Sequence, residues 1–305
     1  MSGASRALTL MLCACVVTGC SLTPIARYTA GFASATAIVV DRSQDAYRTA
    51  NELYFEEQMS SVVREYEANP NWNPNSIQPL LTAKQMHVRR LLLDSLKVYA
   101  RTLDRLENSP KSEAIDDAAA GTGAGLLAMS SSLNADLGGN KGIAITAAES
   151  NGLSTAVDAL GKYLVARKVK RQLPAIVQSM DPTVDTICKL LVSDIGTLQT
   201  QTADDYSSLI QHQDEFIRHA GTSLDPVSKR AEIRQLPLLV QRSAASKELF
   251  DRLQLAIRRL ALTHDALATA AQGKDPATLK AAIADLQETG RELGDFYQSL
   301  SLPTS

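Results

Sequence analysis

Between Asp181-Pro182 and Gly221, apolar side chains return every three or four residues: Val184, Ile187, Leu191, Ile195 and Leu198, then Tyr206, Leu209, Phe216 and Ala220. That is the period of an α-helix, not of a strand. A helix in water draws most of its stability from burying one face, so a rod of ~60 Å needs partners along its length. This stretch therefore dictates an all-α fold in which long helices lie along one another.

The rest of the chain repeats the pattern. A first helix is expected after a tether that ends near Ala33, running to about Ala68 with Phe55, Met59, Val62 and Tyr66 on its apolar face. Pro70, Pro74 and Pro79 then exclude helix interior. Thr82-Ala-Lys-Gln85 is a capping box, in which each side chain accepts the other residue's backbone N–H. The helix it opens carries Leu92, Leu96, Tyr99, Leu103 and Leu106 at heptad-like spacing.

Another capping box, Thr146-Ala-Ala-Glu149, opens a helix through Leu153, Val157, Leu160 and Leu164, which Pro174 is expected to kink or break. Asp181-Pro182, Asp225-Pro226 and Asp275-Pro276 each read as a helix start: Asp accepts a backbone N–H, and Pro at the first position leaves none unpaired. Gly221 and Gly273 stand where C-terminal caps belong. The last helix carries Leu279, Ile283, Leu286, Leu293, Phe296 and Leu300. The expectation is an elongated antiparallel bundle of about six to seven long helices with coiled-coil-like packing. It occupies 34–305, possibly as sub-bundles 34–180 and 181–305.

The N-terminus has a different character. Arg6 precedes an apolar run from Ala7 to Val17 that covers only about half of a ~30 Å hydrocarbon core, the size of a signal-peptide segment. Val17-Thr18-Gly19-Cys20 follows, and it resembles the lipobox of bacterial lipoproteins. The resemblance covers residues 1–20 only. It implies that Val17, Thr18 and Gly19 form the signal-peptidase site and that residues 1–19 are removed. It further implies that Cys20 is acylated and becomes the first residue of a tether, 20–33, moored in the bilayer. Ser21, rather than Asp, after the cysteine implies sorting to the outer membrane, with the body facing the periplasm. Of the four cysteines, Cys13 and Cys15 leave with the signal. With Cys20 acylated, Cys188 has no disulfide partner and reads as a small core residue.

Charge narrows the function. With 31 Lys+Arg against 33 Asp+Glu, the chain is not a general nucleic-acid binder, and 45% apolar content excludes global disorder. No His-Glu-x-x-His, Glu-x-x-His, surviving Cys-x-x-Cys, Gly-x-Ser-x-Gly or P-loop motif occurs. No catalytic residue, metal site or cofactor is expected. The nearest approach to a metal set is His212, Glu215 and His219 on one helix face, read as a solvated stripe. The candidate partner contacts are Trp72, in its Asn/Pro loop, and the basic cluster of Arg167, Lys168, Lys170 and Arg171.

The expected function is thus a membrane-anchored helical lipoprotein that binds or scaffolds an envelope protein partner without catalysis. The alternative is a membrane-inserting or assembly-forming protein that uses the hairpin around 115–164. Its uncharged run Ala118–Leu133 includes Gly121 and Gly125 as a Gly-x-x-x-Gly pair.

Overall fold

The computed structural model describes residues 26–68, 77–108, 173–220 and 223–301. Five helices account for nearly all of them: α1 (Ala26–Ala68), α2 (Ala83–Asn108), α3 (Leu173–Ala220), α4 (Pro226–Ala271) and α5 (Pro276–Ser301). The described residues contain no strand. The fold is all-α, as the periodicity requires.

Local chemistry sets several helix ends as expected. Thr82 and Gln85 close the capping box reciprocally, with Thr82 N–H donating to Gln85 Oε1 at 2.8 Å and Gln85 N–H to Thr82 Oγ1 at 3.3 Å. Asp225 accepts from the N–H groups of Val227 and Ser228 at 2.9 and 3.1 Å, capping α4 ahead of Pro226. Asp275 does the same for α5 through the Thr278 N–H. Gly273 sits at φ 77°, the left-handed conformation that ends α4 and that a side chain disfavours.

Two boundaries differ from expectation, and packing explains both. Asp181-Pro182 does not start a helix; it lies inside α3, which begins at Leu173 with Pro174 in its first turn. An internal proline costs ~3 kcal/mol. Leu173, Ile176, Val177 and Met180 are all buried by the extra turns, and each contributes about 1.5–3 kcal/mol. Burial outweighs the lost hydrogen bond. The expected tether is also cut short. α1 is helical from Ala26, and Thr29, Phe32 and Ala33 are already in the interior.

Sequential helices run antiparallel. α1 meets α2 through Asn51 with Leu81, Gln44 with Asp94 and Asp41 with Lys97. α3 meets α4 through Asp181 with His264, Gln199 with Asp251 and Gln213 with Glu232. α4 meets α5 through Arg259 with Asp285 and Arg252 with Glu292. α1 runs parallel to α5 and to α3: Gly31 and Ile38 lie against Ile283 and Gly290 of α5, and Tyr47 meets Asp194 of α3. One contiguous core draws on all five helices, and α3 crosses residues 180 and 181 without interruption.

The buried seam of α1 is Val39, Ser43, Ala46, Ala50 and Leu53, in 4-3-4-3 spacing. Three of its five residues, Ser43, Ala46 and Ala50, are small, which lets helices approach closely there. Cys188 is buried as expected, and burial pushes its thiol far above the ordinary range.

Two polar clusters lock this core. The Arg89 guanidinium grips both Asp194 oxygens, at 2.8 and 2.6 Å, and Tyr47 O–H donates to the same carboxylate at 2.5 Å, joining α1, α2 and α3. Nearer the start of α1, His264 Nδ1 lies 2.9 Å from Asp181 and Nε2 lies 2.8 Å from the Tyr99 hydroxyl. A carboxylate only accepts, so Nδ1 carries a proton, and in that tautomer of the imidazole Nε2 accepts from Tyr99.

Candidate functional site

The helices are not of equal reach. α2 begins level with Asn51, and the contact of α5 with α1 at Tyr297 falls opposite Arg42. Beyond Leu53, the electrostatic neighbours of α1 lie on α3: Asp205 acts on Tyr54, Glu57 on Asp205, and Glu56 on Tyr206. Arg242 of α4 acts on the same Tyr206. The end of α1, the end of α3 and the start of α4 therefore form an arm, at the opposite pole from the start of α1.

The arm departs from the bundle's chemistry while keeping its period. On α3 the buried row Leu191, Ile195, Leu198 continues in 4-3-4-3 steps as Thr202, Asp205, Leu209 and His212. Thr202 Oγ1, Asp205 Oδ2 and His212 Nδ1 are buried without a hydrogen-bond partner among the described residues. Burial pushes the Asp205 carboxyl up to about 6, helped by Glu57 and Asp204 and opposed by the hydrogen bond from Gln201. A cleft of about 300 Å³ opens alongside between α3 and α4, where Ala203, Ser243 and Ala244 are too small to fill it and Thr202, Tyr206 and Val240 line it.

The surface of the arm is apolar where a free surface would be polar. Phe55, Met59 and Val63 stand on one stripe of α1 at 52%, 39% and 57% exposure. Of the residues expected on the core face of α1, Phe55 and Met59 are exposed, Val62 is half-buried, and the Tyr66 side chain lies outside the described residues. Phe216 of α3 is exposed too. α4 buries nothing before Leu249, and Val227, Ile233, Leu238 and Val240 are all exposed on that half. Scattered exposed apolar residues are ordinary; a row on one helix face marks an interaction surface.

Charge divides the arm. Glu52, Glu56 and Glu65 are exposed on α1, whereas Arg230, Arg234 and Arg242 are exposed on α4. Arg230, Arg234, Arg242 and Glu56 form no ion pair among the described residues.

Val17, Thr18, Gly19, Cys20, Ser21, Trp72 and the cluster of Arg167, Lys168, Lys170 and Arg171 lie outside the described residues, as does the 115–164 hairpin. His219 donates from Nδ1 to the Glu215 carbonyl at 2.8 Å, turning back on its own helix. Among the described residues no three His, Cys, Asp or Glu side chains converge as a metal set, and no helix is long and apolar enough to cross a membrane. The arm itself was missed. Its one sequence signal is the replacement of Leu and Ile by Thr, Asp and His at unbroken core spacing on α3. Comparison with protein-family models, curated proteins and solved structures finds no match to this chain.

Proposed function

We propose that the chain is a lipid-anchored helical protein of the bacterial envelope that docks a protein partner and performs no catalysis. The observation that carries this reading is the Phe55, Met59 and Val63 stripe, exposed on α1 where α2 and α5 no longer cover it. Helix-in-groove recognition uses apolar anchors on one helical face, one turn apart, as Phe55, Met59 and Val63 are.

The anchor and the stripe suit one another. Cys20 precedes α1, and Met59 lies about 50 Å further along its axis. Acyl chains on Cys20 would moor the near pole, most readily at the outer membrane facing the periplasm, and hold the arm clear of the headgroups. Two or more chains give firm attachment where one is marginal. Coiled-coil-like packing draws support from the 4-3 seams of α1 and α3, while a total of six to seven helices rests on the sequence signals within 109–172 alone.

Two experiments test the reading. Cys20→Ala should abolish lipid labelling and release the protein from membranes; a variant still acylated refutes the anchor. A photoreactive residue at Phe55 in intact cells should trap a protein, and a control at exposed Lys189 should not. Equal trapping at both positions refutes the docking role.

A further inference from the structure

The arm carries two stripes of opposite character. On α1, Glu52, Phe55, Glu56, Met59 and Val63 occupy positions i, i+3, i+4, i+7 and i+11, all exposed on one helical face. On α4, Val227, Arg230, Arg234 and Leu238 occupy i, i+3, i+7 and i+11, also all exposed. Both stripes are about 16 Å long at helical rise. One is apolar and acidic, the other apolar and basic. Glu56, Arg230 and Arg234 have no ion pair among the described residues, and the contact of Glu52 with Arg48 is a long 3.9 Å.

We infer that a second copy of this chain covers them, with the α1 stripe of one copy packed on the α4 stripe of the other. Both stripes belong to every copy, so a two-fold pair makes the contact twice, the commonest closed arrangement. With α1 of one copy parallel to α4 of the other, the register that sets Glu52 opposite Arg230 and Glu56 opposite Arg234 puts Met59 beside Leu238 for the apolar burial. Glu52 and Glu56 opposite Arg230 and Arg234 set the register and exclude α1-on-α1 or α4-on-α4 pairing, where like charges meet. In the single copy both stripes are exposed, so neither covers the other. An anionic lipid surface suits only the basic stripe and repels the glutamates of α1, so it satisfies half of the arm. Twin stripes of matched length and opposite sign are what a self-partner requires. The inference rests on the arm being a docking element, but not on the lipid anchor.

The test uses the full-length chain purified in detergent as two separate variants, Met59→Cys and Leu238→Cys, with a short bis-maleimide crosslinker. Mixed, they should give a covalent dimer; either alone should give little. Adding Arg230→Glu and Arg234→Glu to the Leu238→Cys chain should cut the yield about tenfold, since opposed like charges disfavour the docked register. Adding Glu52→Arg and Glu56→Arg to the Met59→Cys chain should then restore it. All of these positions are exposed, and unchanged thermal melts confirm that the fold survives. No mixed dimer, or a yield indifferent to charge reversal, overturns the inference. If the chain stays monomeric while photocrosslinking from Phe55 still traps another envelope protein, self-association is wrong and heterologous docking stands. If neither traps anything, both fall.

Discussion

Arg89 and Asp194, on α2 and α3, form a two-point ion pair in the bundle interior, with the arginine only 2% exposed. Replacing one partner strands a charge in low dielectric, which typically costs about 3–5 kcal/mol, whereas replacing both with apolar residues is often near neutral. Arg89→Met is therefore expected to be strongly destabilising. Arg89→Met with Asp194→Leu should recover most of the loss, short of the hydrogen bond from Tyr47. Urea unfolding of the two variants checks this; a double variant as weak as the single one contradicts it.

Gly31 and Gly294 should respond oppositely to alanine. A Cβ on Gly31 meets Ile283 Cγ2 at 2.9 Å, inside van der Waals contact, where α1 packs on α5. A Cβ on Gly294 meets nothing within 4 Å. Gly31→Ala is expected to lower the melting temperature, because Ile283 is buried and has no room to retreat. Gly294→Ala should stabilise by up to about 1 kcal/mol through helix propensity alone. Differential scanning calorimetry separates the signs.

Much of the bundle was legible because its signals are local. The Thr82–Gln85 box and the Asp225 and Asp275 caps act within three residues, and the α2 and α5 stripes announce their own buried faces. Asp181-Pro182 shows the limit of such signals. The same dipeptide that starts α4 and α5 sits inside α3, because the apolar residues before it have a core to enter, and nothing local reports that core. The arm was illegible for a related reason. How far α1 outruns α2 is set by the Asn51 and Leu81 pairing, a long-range register, and Phe55 and Met59 look alike in sequence whether covered or bare. Arg89 did leave a trace: a charged residue three and seven positions before Leu92 and Leu96 on the apolar face of α2.

The Tyr99, His264 and Asp181 chain makes a third prediction. His264 is fully buried between the rings of Phe32 and Tyr99, at centroid distances of 5.9 and 5.6 Å. Tyr99→Phe removes the donor to Nε2 and leaves a buried acceptor unpaired, a loss of about 1–3 kcal/mol. Combining it with His264→Leu removes the orphaned group, so the double variant should lose less than the sum of the singles. A double-mutant cycle by chemical denaturation measures the difference, and strict additivity would contradict the proposed bond.

Asp205 supplies the pH prediction. Its carboxyl is pushed up to about 6 first by burial, so the folded state holds a proton that the unfolded chain, with an ordinary value of 3.8, releases. Between those values the native state binds more protons, and stability falls as pH rises from about 4 to about 6. Above that window the ionised Asp205 opposes the packing of α3 on Tyr54 and Glu57; below it the penalty is absent. Asp205→Asn keeps the shape and the hydrogen bond from Gln201 without the charge. It should raise the melting temperature at pH 7.5 and leave it nearly unchanged at pH 4. A stabilisation equal at both values would mean that charge burial is not what weakens the arm, and that its polar seam is limited by packing instead.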